Sequence, residues 1–316
     1  MATLAPALPA VVLPRAARSA SPAETPILGI GLVVLSTVFL STSDTTAKVL
    51  AGSLHGLEIA WLRYIGYLAV MLVAAGLRST RGHPPLRTSR PGLQVLRGTC
   101  IVGSAALFLT GLRVLPIAEA TALGFVAPVF VTGLSIVFLG EKVGLRRWIA
   151  ALVGLCGVII IMRPGTGAFQ AAALLPIGSA LFWAGALVAT RKINGYDAPQ
   201  TTMTWSAVVG FVLLSCAVPF VWTTPSLEQV GIGMMIGVIS TAGHWIITIA
   251  YRHAPASTLV PFSYSQIVWA AVLGFVVFGT VPDIYVGLGV TVIAASGLYT
   301  AHRERLSRRP AALATR

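Results

Sequence analysis

A chain of 316 residues that is 56% hydrophobic and only 10% charged, with a mean hydropathy of +0.86, has too little polar surface to face water on all sides. Soluble domains carry about a quarter charged residues, so the composition excludes a soluble enzyme or binding module and makes lipid the main solvent. The net charge of +13 would suggest nucleic-acid binding in a soluble protein, but here retention of Lys and Arg in cytoplasmic loops explains it, and no nucleic-acid partner is expected.

Residues 1–26, MATLAPALPAVVLPRAARSASPAETP, carry no positive charge ahead of a short apolar run that prolines interrupt. They are predicted as a disordered cytoplasmic tail rather than a cleavable signal peptide. Crossing a hydrocarbon core takes about 20 mostly apolar helical residues. Ten stretches qualify: 27–48, 57–77, 93–112, 117–139, 145–162, 171–193, 201–222, 229–251, 256–279 and 284–301. Backbone groups in lipid must be satisfied within their own span, so each is predicted as a helix and the fold as an all-α integral membrane protein.

With the N-terminus inside, 17 Lys and Arg residues fall on the cytoplasmic side and three outside (Lys48, Arg113 and Arg163), with Arg63 and Arg97 left within spans. Both termini are therefore expected in the cytoplasm of a cell inner (plasma) membrane, with residues 302–316 as a basic tail. Cys100, Cys156 and Cys216 all lie in apolar spans, where they act as small hydrophobes; no disulfide, metal site or cofactor is expected.

Sliding the chain along itself by 139 residues matches Gly98 with Gly237, Arg113 with Arg252, Pro116 with Pro255, Val129 with Val268, Leu134 with Leu273, Val137 with Val276 and Gly140 with Gly279. Two repeats are read, 27–163 and 171–301, each of five helices. Five is odd, so the second repeat must enter the membrane from the opposite face. Such inverted repeats let one half rock against the other around a central site; duplication without transport is the alternative.

The segments RVLPIAEATALGFVAPVFVTGLSIVFLGEKVGLRRWIAALVGLCGVIIIMRP (113–164) and AYRHAPASTLVPFSYSQIVWAAVLGFVVFGTVPDIYVGLGVTVIAASGLY (250–299) resemble the closing half of an EamA domain. They share the short loop after Pro116, the Gly140-Glu141 exit of the fourth span and small-residue fifth and tenth spans. The resemblance is to the drug/metabolite transporter superfamily. It implies a ten-helix secondary transporter with a cavity lined by both halves, and members carry amino acids, nucleosides, sugars, vitamins and S-adenosylmethionine. Thr280 stands where Glu141 would be matched, so a role for that glutamate is not shared by the second half. The segment 264–269 resembles members linked to S-adenosylmethionine or riboflavin uptake. Export of a small polar, amino-acid-like metabolite is the first expectation. Uptake of S-adenosylmethionine, riboflavin or a similar vitamin or nucleoside is the second. A proton gradient or the substrate's own gradient would drive either.

Ionisable groups within spans are costly unless they face protein or water, which makes each a candidate. Asp44 and Lys48 stand one turn apart and can pair on one face. Glu58, Arg63 and Glu119 lie at similar depth, so three acids and two bases are expected to form a vestibule for a zwitterion or a proton; local ion pairs at the interface are the alternative. In the ninth span Ser263, Tyr264, Ser265 and Gln266 form a polar run after Pro261, and Pro128 interrupts the fourth. A proline removes an amide donor and frees a carbonyl, so both are read as helix breaks that expose backbone to a ligand. Tyr264 and Gln266 are substrate-binding candidates, with interhelical hydrogen bonding as the alternative.

His244 can carry a proton near neutral pH or satisfy a neighbour. Trp183 and Trp245 can stack on an aromatic ligand or pack between helices. The pairs Gly233/Gly237 and Ala150/Gly154 allow close helix approach, with a homodimer face as the minor option. No nucleotide-cradling G-x-x-x-x-G-K-[ST] loop, H-E-x-x-H or G-x-S-x-G occurs. No catalytic residues are assigned, and the chain is not read as an enzyme.

Overall fold

The computed structural model describes residues 26–79, 87–140, 144–164, 171–254 and 256–313. The N-terminal tail expected over 1–26 therefore lies outside the described residues but for its last position, as do Glu141 and Pro255. Every regular element among the described residues is helical. In chain order these are α1 (Pro26–Leu50), α2 (Gly56–Ser79), α3 (Pro91–Gly111), α4 (Ile117–Gly124), α5 (Ala127–Leu139), α6 (Leu145–Met162), α7 (Leu174–Ile193), α8 (Pro199–Ala217), α9 (Leu227–Ala250), α10 (Ala256–Ser263), α11 (Ser265–Phe278) and α12 (Ile284–Leu313). Eight helical segments are long and apolar enough to cross a membrane, with α4–α5 and α10–α11 each forming one of them. Two shorter apolar helices, Trp148–Met162 and Ile284–Thr300, occupy the remaining stretches. The helix begun at Ile284 runs on to Leu313, so most of the basic tail continues it.

Helix ends follow local chemistry. Pro91 and Pro199 open α3 and α8, where a missing amide proton costs nothing. Ser226 and Gln229 form a reciprocal capping box at the start of α9. Gly140 and Gly279 end α5 and α11 in the left-handed region, each at φ 67°. A side chain would be strained there, so the matched glycines mark matched helix ends.

The interior reverses the usual distribution. Ser36, Thr37, Ser41, Asp44, Glu58, Gln94, Ser135, Thr202, Ser206, Ser240 and Thr241 are buried, while Val73, Leu77, Val137, Val212, Phe275 and Val276 are exposed. Water would penalise that arrangement; lipid rewards it, because apolar side chains face the tails while hydroxyls find partners between helices. A continuous core runs through Leu62, Leu109, Ile117, Leu123, Ile161, Ile236 and Ile267.

Helices pack closely where side chains are absent. A Cβ on Gly237 would lie 2.1 Å from the Arg63 carbonyl oxygen, and one on Gly66 2.1 Å from that of Met234, so α2 and α9 touch backbone to backbone. Gly157 of α6 and Gly289 of α12 meet in the same way. Gly233 faces Leu62, and Gly154 lies nearest Ser296 and Val129, so these small residues serve contacts within the chain.

Candidate functional site

One face of α1 carries Ser36, Thr37, Ser41 and Asp44, all buried. Thr37 Oγ1 and Ser265 Oγ are 2.8 Å apart, and Ser41 Oγ donates to the Gln266 carbonyl at 3.1 Å. This face therefore meets the polar run of α10–α11. One turn beyond Ser41, Asp44 pairs with Arg63 of α2, Oδ1 to Nη1 at 3.6 Å, with side chains only 11% and 16% exposed. Arg63 Nε donates to Ser240 Oγ of α9 at 3.2 Å. The Ser240 carbonyl lies 2.8 Å from His244 Nδ1, and the His244 ring meets Trp183 of α7 edge-on at 6.2 Å. Asp44, Arg63, Ser240, His244 and Trp183 thus form one connected chain across four helices.

The pairing of Asp44 with Lys48 expected from their spacing does not form. Lys48 Nζ instead donates to the carbonyls of Leu112 and Leu115, at 2.8 and 2.6 Å, and lies 5.6 Å from the centre of the Phe278 ring. Leu112 caps the end of α3 and Leu115 lies in the loop leading to α4, so neither carbonyl has an intrahelical donor; the ammonium satisfies both at once, which leaves Asp44 to the guanidinium of α2.

Glu58 is fully buried and accepts from Thr223, at 2.6 Å from Oγ1 and 3.4 Å from the amide. Glu119 lines a separate cavity of about 120 Å³ with Pro116, Thr280 and Asp283, and Asp283 pairs with Arg163 at 2.5 Å. Of the five charged residues expected to share one vestibule, only Asp44 and Arg63 come together, while Lys48, Glu58 and Glu119 occupy separate places. Lys48 and Glu58 have each taken a polar group within reach, the carbonyls of Leu112 and Leu115 for one and Thr223 for the other.

The fourth span divides at Phe125–Val126, with Pro128 in the first turn of α5, and the ninth divides at Tyr264, three residues after Pro261 inside α10. Phe125 and Tyr264 stack, ring centroids 4.8 Å apart and planes 28° from parallel. Gln266 is half-buried, its backbone carbonyl taken by Ser41. Trp245 is 37% exposed and makes no ring contact among the described residues.

Sequence reasoning missed Ser240, Phe125, Arg97 and Asp197 as parts of these networks. Arg97 of α3 donates to Thr190 Oγ1 at 2.7 Å, to the Thr202 carbonyl at 3.3 Å and to Ser206 Oγ. Its place inside a span was the available signal. Asp197, between α7 and α8, accepts from Thr88 Oγ1, from Gln94 Nε2 at 2.7 Å and from the Ser89 amide at 3.3 Å. Slight desolvation raises its carboxyl pKa, but these three donors outweigh it and hold the group below the usual carboxylate range.

A model of the EamA-like transporter family matches residues 27–163 and again 170–300. An S-adenosylmethionine uptake transporter of Rickettsia bellii is 26% identical over 88% of this chain and 94% of its own length. A riboflavin transporter of Vibrio cholerae is 33% identical over 72% of this chain and 78% of its own. A solved structure, titled only as the crystal structure of a protein, superposes with a TM-score of 0.61 at 18% identity, covering 87% of this chain and 97% of that one, a likeness of fold.

Proposed function

We infer that this chain, which belongs to the EamA-like transporter family, imports a small organic metabolite by alternating access across a bacterial-type inner membrane. It is a multi-pass membrane transporter and not an enzyme. The observation that carries the reading is the Asp44–Arg63–Ser240 cluster: charged groups from the first half and a hydroxyl from the second meet inside an apolar protein. Groups so costly to bury suit a polar cargo at the junction of two moving halves.

The reading takes the chain as ten spans in two inverted repeats, with the shorter helices α6 and α12 as the fifth and tenth. Packing supports it. Exchanging the halves turns the α1–α9 contact into α7–α3, α2–α9 into α8–α3, and α1–α11 into α7–α5, and all of these contacts occur. Because each half has an odd number of spans, the axis relating them lies in the membrane plane. The excess of Lys and Arg on one side supports cytoplasmic termini.

The names of the relatives favour uptake over the export put first from sequence, and they favour S-adenosylmethionine or riboflavin as cargo. Glu58 and Lys48 secure helix ends and loops in this arrangement and Glu119 lines a separate cavity, whereas Asp44 with Arg63 and the break at Tyr264 line the path. The test is accumulation of radiolabelled S-adenosylmethionine, riboflavin and amino acids by proteoliposomes, with and without an imposed proton gradient. Accumulation of one of them above empty vesicles is expected; none above that background overturns the reading.

A further inference from the structure

We propose that Asp44 and Arg63 form the head-group site for an α-amino carboxylate, which binds by entering between them. The inference rests on the transporter reading and narrows its cargo. At 3.6 Å the two side chains attract each other, but the contact is longer than a hydrogen bond. Among the described residues Asp44 accepts no hydrogen bond and Arg63 gives only one, from Nε to Ser240, so apart from the 3.6 Å approach of Nη1 to Asp44 the Nη donors of the guanidinium fork are unspent. A pair kept purely for stability at this depth would be expected to close up and fill its remaining sites, because desolvating two charges is otherwise poorly repaid.

The unused capacity fits one chemistry. A carboxylate accepts two parallel bonds from the guanidinium fork, while an ammonium one carbon away donates to the Asp44 carboxylate. Such a ligand is net neutral at its head and replaces one internal ion pair with two stronger ones. A bare amine or bare acid satisfies one side only and strands the other as an uncompensated buried charge, so the site rejects both. Ser240 anchors the guanidinium from the second half. His244 and Trp183 continue the same chain of contacts and offer aromatic surface to the remainder of the ligand.

The experiment measures ligand-induced thermal shift and binding on the purified full-length protein. The probes are the 20 standard amino acids, S-adenosylmethionine and riboflavin. The carboxyl methyl ester and the N-acetyl derivative of each aminocarboxylate that binds follow. At least one aminocarboxylate is expected to bind, and both derivatives to bind at least about 30-fold more weakly, since each breaks one half of a buried charge pair. Asp44→Asn should shrink the penalty for N-acetylation, and Arg63→Gln the penalty for esterification. Derivatives that bind as well as their parents overturn the site, as does riboflavin binding with no aminocarboxylate bound; the wild-type measurements decide this even where a variant fails to fold. Transport of riboflavin alone leaves the transporter reading standing without this site, whereas no binding and no transport removes both.

Discussion

Phe125 and Tyr264 stack ring on ring at 4.8 Å, each at the break in its span, and they stand 139 residues apart, the offset at which the two halves of the sequence match. The prolines do not share that register: Pro128 follows its break by three residues and Pro261 precedes its own by three. What the halves share is the place where the helix is interrupted, and the two aromatic rings meet there.

Phe125→Ala and Tyr264→Ala should each destabilise the protein. The double variant should recover about 1 kcal/mol relative to the sum, the usual worth of an aromatic pair beyond its area. Unfolding by SDS titration of all four proteins measures the coupling. Tyr264→Phe keeps the stack and should stay close to wild type in stability. Gly297→Ala should behave like loss of the ring, since a Cβ there would lie 1.6 Å from the Tyr264 hydroxyl oxygen. Additive losses in the two alanine variants would dismiss the stack as a stabilising contact.

Asp44→Asn removes one partner of a buried pair and strands the Arg63 charge, at a cost of about 3 kcal/mol. The low end of the usual range applies because the side chains keep 11% and 16% of their exposure. Combining it with Arg63→Met restores most of the stability, since an apolar pair of similar volume has no charge to desolvate. Transport should not return with it. SDS unfolding alongside proteoliposome uptake separates the two outcomes, and recovered transport would reduce the pair to a structural prop.

How far the sequence could be read depended on what kind of information each feature needed. The eight long apolar spans and the glycines that end helices at 140 and 279 were legible because hydropathy and backbone conformation are local properties. Asp44, Arg63, His244 and Trp183 could be named as costly or aromatic groups within spans, but not joined. The four-residue spacing of Asp44 and Lys48 records only what a helix permits. The choice was made by the carbonyls of Leu112 and Leu115, over sixty positions away, and by the guanidinium of α2. Glu58 finds Thr223 across 165 residues, a partnership no local pattern encodes. Phe125 carries no polar flag at all, and only subtraction of the repeat offset from Tyr264 would have picked it out.

Asp197 gives a pH-dependent term outside the membrane. Its pKa is lowered in the folded protein, so its contribution is complete above the unfolded value of 3.8 and fades as the pH falls through the lower folded value. Asp197→Asn should therefore lower the melting temperature at pH 7 and at pH 5 by the same amount, with the difference from wild type shrinking only below about pH 4. Gln94→Ala should reproduce part of the effect, because it removes one of the three donors that depress the pKa. A difference that already shrank between pH 7 and pH 5 would contradict this account of the carboxylate.

The backbone contact between α2 and α9 yields the sharpest contrast between similar substitutions. Gly66→Ala and Gly237→Ala each place a methyl 2.1 Å from a carbonyl oxygen of the facing helix, and neither neighbour is a flexible side-chain end that could swing away. The helices must separate, costing about 1–3 kcal/mol or more as overpacking. Gly133→Ala and Gly231→Ala meet nothing within 4 Å, and replacing glycine in a helix removes backbone entropy from the unfolded chain, so these two should be neutral or slightly stabilising. Since α2 carries Arg63 and α9 carries Ser240, prying these helices apart should also lengthen the bond between them, so Gly237→Ala should lose transport even where it still folds. Folded yield, melting temperature and uptake of the four variants measure this. Equal behaviour of all four would mean that α2 and α9 do not approach this closely in the membrane.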